Sequence, residues 1–523
     1  MTKPAKLSLE ELEKKLADAD ARVEAAPNDP QAYAARAVVY KQMEQFREAI
    51  ADYSTALELK SHDAHTLVER AILYRRLGEL KPALADLTQA VLIDPDIAPA
   101  YQQRAMCHME MGEPQKAIPD FSKCIALAPD KPGNYFNRAE AFAKLKQYEA
   151  AIADLDKVIA IAPKVAASYQ LRGLAHYRLG QLDKALADNQ AALGLEPNNP
   201  LYLHNQGVAY FDLGQYKAAL ADFEKAVSIA PKQSESFHYS GRTRARLGKL
   251  RDAIKDFDRA LALKPDHVEA LEARGAALLD LKDYKALNEN DERLLKASPR
   301  NPWVFYRRGL INAANRMIDQ ALHEFTRAIL SKPDFAWAYE ERARVHAMRN
   351  DKAAALNDLT EAIRYGIDDP VVYALHGRLL KERGEYEKAI SDYDKAIAGL
   401  EESFELRLER GEMHYKLGSY TKAIEDFGHC IRARPNDPVL NYNLGSAYLE
   451  SGQLDEAAEA FSHAIAANRN DAPIYLSRGD AYLAKGDVKK AIEDFKKAIQ
   501  TSRDPQLKQV AEQRLAQTAT MKQ

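Results

Sequence analysis

Arginine and aspartate recur sixteen residues apart along this chain, as Arg36 and Asp52, Arg70 and Asp86, Arg104 and Asp120, Arg138 and Asp154, Arg172 and Asp188, Arg342 and Asp358, Arg410 and Asp426, and Arg478 and Asp494. A guanidinium and a carboxylate can join in a two-pronged ion pair, or each can hold a charged ligand. Histidine offers a second chemistry, since His108, His176, His346 and His414 invite a metal reading and so do His204 and His238. Cys107, Cys124 and Cys430 are an odd number of thiols without Cys-x-x-Cys spacing, so they read as buried thiols, with neither a disulfide framework nor a zinc site. The sequence holds no Gly-x-Gly-x-x-Gly, P-loop, His-Glu-x-x-His or Gly-x-Ser-x-Gly motif. We therefore expect no catalytic residue, no metal and no cofactor, and read the chain as non-enzymatic. Trp303 and Trp337 are its two tryptophans. With Tyr306 and Arg344 nearby they form an aromatic and arginine cluster of the kind that makes binding hot spots.

A repeat positions these residues. A gapless 34-residue period runs from Pro30 to Pro505 and gives fourteen units, the first starting at Pro30 and the second at Ala64. Numbered within each unit, position 8 is Ala or Gly throughout, as at Ala37, Gly173 and Gly445, and position 20 is Ala in thirteen units. Position 24 is usually Phe, Tyr or Leu, and position 27 is mostly small. The 20, 24, 27 stripe has a helical period, and small residues at 8 and 20 let two helices approach closely. Gly at position 15 in nine units ends the first helix, and Pro at position 32 in nine units ends the second. The fold expected is all-α, built from tandem antiparallel helix pairs.

Position 7 is Arg in ten units and position 23 is Asp in eleven, and both face the seam between paired helices. An unpaired charge there would be costly, so the pairs read as a structural ion-pair ladder that fixes geometry. In unit thirteen Leu444 and Ala460 replace both members together, and in unit seven Ser240 replaces the arginine while Arg244 appears one turn later.

The 523 residues carry a net charge of −3, which lacks the basic footprint of phosphate-backbone binding, so no nucleic acid partner is expected. The N-terminus places charges where a leader needs an apolar run, and no later stretch is apolar enough to span a membrane. A cytoplasmic location is expected. Leu12, Leu16, Ala19 and Val23 share one helical face, and Leu507, Val510 and Leu515 are expected to turn inward at the other end, so both ends read as capping helices.

The pattern of an aromatic residue or Leu at position 4, Gly or Ala at 8, Tyr at 11, Ala at 20, an aromatic at 24, Ala at 27 and Pro at 32 resembles the tetratricopeptide repeat (TPR) family. That resemblance implies a right-handed α-solenoid superhelix, with first helices lining a concave groove, and a scaffold that binds protein or peptide partners there. It implies that the histidines at position 11 are packed core residues, and that partners touch positions 2, 5, 9, 12 and 13. Candidate groove residues are then Trp303, Tyr306, Trp337, Arg344, Arg242 and Arg246. His204 and His238 share position 5 of neighbouring units, too isolated to complete a metal site. Family members that capture chaperone C-termini are similar in a carboxylate clamp with Lys at position 5 and Asn at 9, which this chain lacks, so such capture is disfavoured. The Asn ladder at position 6 seen in the arms of protein glycosyltransferases is matched by Asn137, Asn205 and Asn443 alone. An accessory subunit presenting substrates to a separate enzyme is the alternative reading. The organisation expected is a capping half-repeat at 1–29, repeats one to seven at 30–267, an irregular repeat eight at 268–301 that forms a joint, repeats nine to fourteen at 302–505, and a capping helix at 506–523.

Overall fold

The computed structural model describes residues 8–400, 403–468 and 471–520. Residues 1–7, part of the stretch read as lacking an apolar leader, lie outside them. Thirty α-helices and no strand occur among the described residues, numbered in chain order from α1 (Leu9–Ala25) to α30 (Pro505–Thr520). Between these ends run fourteen helix pairs, from α2 (Pro30–Gln42) with α3 (Phe46–Leu59) to α28 (Ala472–Lys485) with α29 (Val488–Thr501).

Local chemistry starts and stops each helix. Asp29, Asp63, Asn199, Asn301, Asp369 and Asp437 cap first helices by accepting hydrogen bonds from first-turn amides, and most are followed by a proline preset for the first helical position. The turn within every pair places position 15 in the left-handed region. Nine glycines adopt it there, Gly78 at φ 77° and Gly486 at 87° among them. Glu44, Lys146, Lys282, Arg316 and Asn350 adopt it as well, at φ 57–63°. The packed helices thus impose the turn even where a side chain opposes it.

The core is a series of small seams. Ala49, Ala83, Ala219 and Ala491 at position 20 are fully buried, as are Phe121, Phe223, Phe325 and Phe495 at position 24. Residue sizes compensate across the seam. A Cβ added to Gly207 would stand 2.7 Å from the Phe223 ring, and one on Gly309 2.6 Å from the Phe325 ring. Where position 24 is leucine, as at Leu87, Leu155 and Leu359, position 8 is alanine (Ala71, Ala139, Ala343). Ala37 with Tyr53 and Ala105 with Phe121 combine alanine with a ring.

The chain divides into two compact units, Met1–Arg293 and Leu294–Gln523, with the boundary inside α17 (Tyr284–Ala297). In the first, α1 begins with a capping box between Ser8 and Glu11 and buries Leu12, Ala19 and Val23, with Leu16 half-buried. In the second, α30 lies against α29 and buries Ala511 and Thr518. The inward face of α30 is therefore corrected. Leu507 and Leu515 are half-buried but Val510 is 43% exposed, because the buried stripe runs 507, 511, 515, 518 and position 510 falls about 100° off it. No described helix is long and apolar enough to cross a membrane.

Candidate functional site

The recurrent arginines sit on first helices and their aspartates on the second helix of the same pair. In all eight pairs Nε and Nη2 of the arginine donate to the two carboxylate oxygens, at 2.6–2.9 Å. The aspartate side chains are 3–9% exposed and the arginines 18–21%. Hydrogen bonding to Asp52 raises the Arg36 pKa despite its partial burial, so the cation is held firmly.

The third guanidinium nitrogen reaches position 25 of the preceding repeat. Nη1 donates to Asp20 from Arg36, to Ser54 from Arg70, to Asp156 from Arg172, to Asp394 from Arg410 and to Ser462 from Arg478, at 2.6–3.0 Å. One arginine therefore ties three helices, which the pairwise reading of the sequence did not contain. Repeats seven, eleven and thirteen, which vary the pair, preserve the logic. His376 reaches Asp392 through Nδ1 at 2.6 Å and Thr360 through Nε2 at 3.0 Å. Arg244 pairs with Asp256, which also accepts from Ser240 at 2.7 Å. Leu444 and Ala460 meet in one apolar cluster.

Of the candidate groove residues, Trp303 and Trp337 come together with ring centroids 5.4 Å apart. Trp303 is half-buried, 4.8 Å from Phe335 and 5.9 Å from Tyr306, whereas Trp337 is 49% exposed. Burial pushes the Tyr306 hydroxyl pKa up. Arg344 turns back to Glu340 and Glu341 on its own helix, α20 (Ala336–Met348), so its charge is neutralised locally. Arg242 lies over the rings of Phe211 and Tyr239 at 4.7 and 5.0 Å, and Arg246 is exposed. A cleft of about 350 Å³ that the sequence did not single out is lined by Glu412, Tyr415, Lys416, Phe427, Tyr442, Asn443 and Ser446. All but Phe427 come from positions 5, 6, 9, 12 and 13 of neighbouring first helices. Lys381 donates to Glu412 at 3.1 Å beside it.

The position 11 histidines are packed, with unequal partners. His108 Nδ1 lies 3.1 Å from Glu113 and His176 Nδ1 2.7 Å from Gln181, while Nδ1 of His346 is buried without a hydrogen bond. Burial lowers the His414 pKa. His204 Nδ1 meets Ser236 Oγ at 2.9 Å. His238 stands apart from it: in α14 (Ser234–Arg246) it faces Glu235 and His267, the residue preceding α16 (Val268–Asp280), with the two imidazole centroids 5.0 Å apart. The sequence offered a weak signal for this trio, since His267 sits in a connector far along the chain from Glu235 and His238.

Fourteen tandem helix pairs define an α-helical repeat scaffold. Three family models, each described as tetratricopeptide repeat, match residues 240–302, 375–438 and 442–506, residues 98–131 and 200–233, and residues 30–63, 132–165 and 166–199, together more than half of the chain. The chain belongs to the tetratricopeptide repeat family, whose repeats serve in general as protein-interaction scaffolds. No curated protein matches it. Among solved structures it is similar to the APC/C hetero-tetramer Cut9–Hcn1, at 15% identity over 98% of this chain and 99% of that one, with a TM-score of 0.36. It is also similar to YrrB, a TPR protein with an unusual peptide-binding site, at 23% identity over 36% of this chain and 96% of that one (TM-score 0.33). A tetratricopeptide repeat protein from Parabacteroides merdae is 18% identical over 48% of this chain and 98% of its own (TM-score 0.38).

Proposed function

We propose that this protein holds extended segments of partner proteins along the first helices of its repeats and carries out no reaction of its own. The observation that supports this reading is the exposure of apolar side chains at position 2 of three repeats in the second compact unit: Trp337 at 49%, Val371 at 52% and Val439 at 62% exposed. Burying such surface is worth about 25 cal/mol per Å². Trp337 rests on Trp303, so its ring is already ordered and a partner covering it loses little further entropy. The cleft at Tyr442 and Asn443 supplies polar groups to orient a peptide beside these apolar contacts.

Affinity capture followed by mass spectrometry, comparing the wild type with Trp337→Ala and Asn443→Ala, tests the reading. Trp303 is the poorer target, because its ring packs on Phe335 and its loss would also disturb folding. Proteins captured by the wild type are expected to fall at least tenfold in the Trp337→Ala eluate. Equal recovery in both variants would remove the groove from consideration.

A further inference from the structure

Glu235 and His238 lie one turn apart on one face of α14, and His267 caps the start of α16. One donor atom from each residue lies within 4.8 Å of the other two. Glu235 Oε1 is 3.1 Å from His267 Nε2, and its Oε2 is 3.9 Å from His238 Nδ1. Four ligands about 2.0–2.1 Å from a tetrahedral ion stand about 3.3 Å from one another, so small side-chain shifts close this trio around one metal. We propose that Glu235, His238 and His267 form a binding site for one divalent transition-metal ion of the zinc class.

Three observations carry it. Both imidazoles are buried, with side chains 6% and 2% exposed, and Nδ1 of His238 and Nε2 of His267 have no hydrogen-bond partner among the described residues although both face the carboxylate. Lone buried polar atoms are costly, and an ion would satisfy both at once. Secondly, His267 Nδ1 lies 3.2 Å from Glu269 Oε2. In the metal-bound tautomer that nitrogen donates to the carboxylate, the outer partner that orients metal-ligating histidines. Without metal the same nitrogen accepts weakly from the Ala270 amide at 3.4 Å. Lastly, two imidazoles and one carboxylate suit Zn²⁺, Co²⁺ or Ni²⁺ and leave Mg²⁺ and Ca²⁺ underserved. Glu235 is half-exposed, so the fourth position opens to water. The ion would fasten α14 to α16, the first helices of repeats seven and eight.

The tag-free full chain, stripped with chelator, is titrated with Zn²⁺ by calorimetry and with Co²⁺ by visible absorption. One equivalent is expected to bind, with tetrahedral cobalt bands and a raised melting temperature, while Mg²⁺ leaves both unchanged. Glu235→Gln and His238→Gln are each expected to weaken binding at least tenfold. His204→Gln, whose Nδ1 is already met by Ser236, keeps it. Should His238→Gln fail to fold, Glu235→Gln decides, since its side chain is half-exposed. No saturable binding, wild-type affinity in Glu235→Gln, or equal loss in His204→Gln would overturn the site.

Discussion

Asp222 shows what the arginine ladder does by lacking it. Repeat six has Gln206 at position 7, and Asp222 Oδ2 is buried with no hydrogen-bond partner, so burial raises its pKa from 3.8 to about 6. The folded pKa lies above the unfolded one, so the folded state holds the extra proton between these values. The contribution of Asp222 to stability is therefore fully present below about pH 4 and is lost as pH rises through about 6. Asp222→Asn, or Gln206→Arg to restore the missing cation, is expected to add about 1–3 kcal/mol at pH 7 and little at pH 4. Urea melts at both pH values check this, and parallel pH profiles for wild type and variant would contradict it. Where the pair is present, removing one member strands the other. Arg172→Leu or Asp188→Ala alone is expected to cost about 3–5 kcal/mol, and the double variant less than the sum. Repeat thirteen, which packs Leu444 near Ala460, is the natural form of that double replacement.

At the scale of the helix pair, stability rests on matched sizes and on the turn. Gly309→Ala should raise helix propensity, yet its new Cβ would stand 2.6 Å from Phe325. Overpacking is expected to prevail, lowering stability by about 1–3 kcal/mol, and Phe325→Leu added to it should recover part of the loss, as in the alanine and leucine repeats. Thermal melts of the single and double variants decide between packing and propensity. The turn works in the opposite direction. Glu44→Gly and Lys146→Gly relieve left-handed backbone at φ 60° and are each expected to stabilise by about 0.5–1 kcal/mol. A lower melting temperature for both would show that their side chains matter more than their backbone.

At the scale of the whole molecule, each repeat within a compact unit touches chiefly its neighbours, so the stability of a unit is the sum of repeat and interface contributions and its weakest repeat opens first. Repeat eight departs most from the pattern. It buries Leu287 where the others have alanine, and Asn290 and Asp291 where most others have Asp and a ring or leucine. Asn290 is well held, donating to the Leu271 carbonyl at 2.9 Å and accepting from Arg274 at 3.2 Å. We expect repeat eight to act as a joint, with amides at 285–298 exchanging faster than those of neighbouring second helices. Uniform protection across them would exclude it.

The sequence by itself determined the helices, their order and their seam. Small residues at 8 and 20, a ring or leucine at 24 and breakers at 15 and 32 recur in most units within one unbroken frame, and local propensity with nearest-neighbour packing is enough to specify a repeat array. It also placed the arginine and aspartate of each pair, because sixteen residues is a fixed path within one repeat. What lies between repeats was decided only in three dimensions. The reach of Nη1 to position 25 of the preceding repeat, the exposure of Val510 and the meeting of His238 with His267 all depend on how one hairpin lies on the next. Side-chain direction across a seam between repeats follows from their mutual rotation, which no single period encodes.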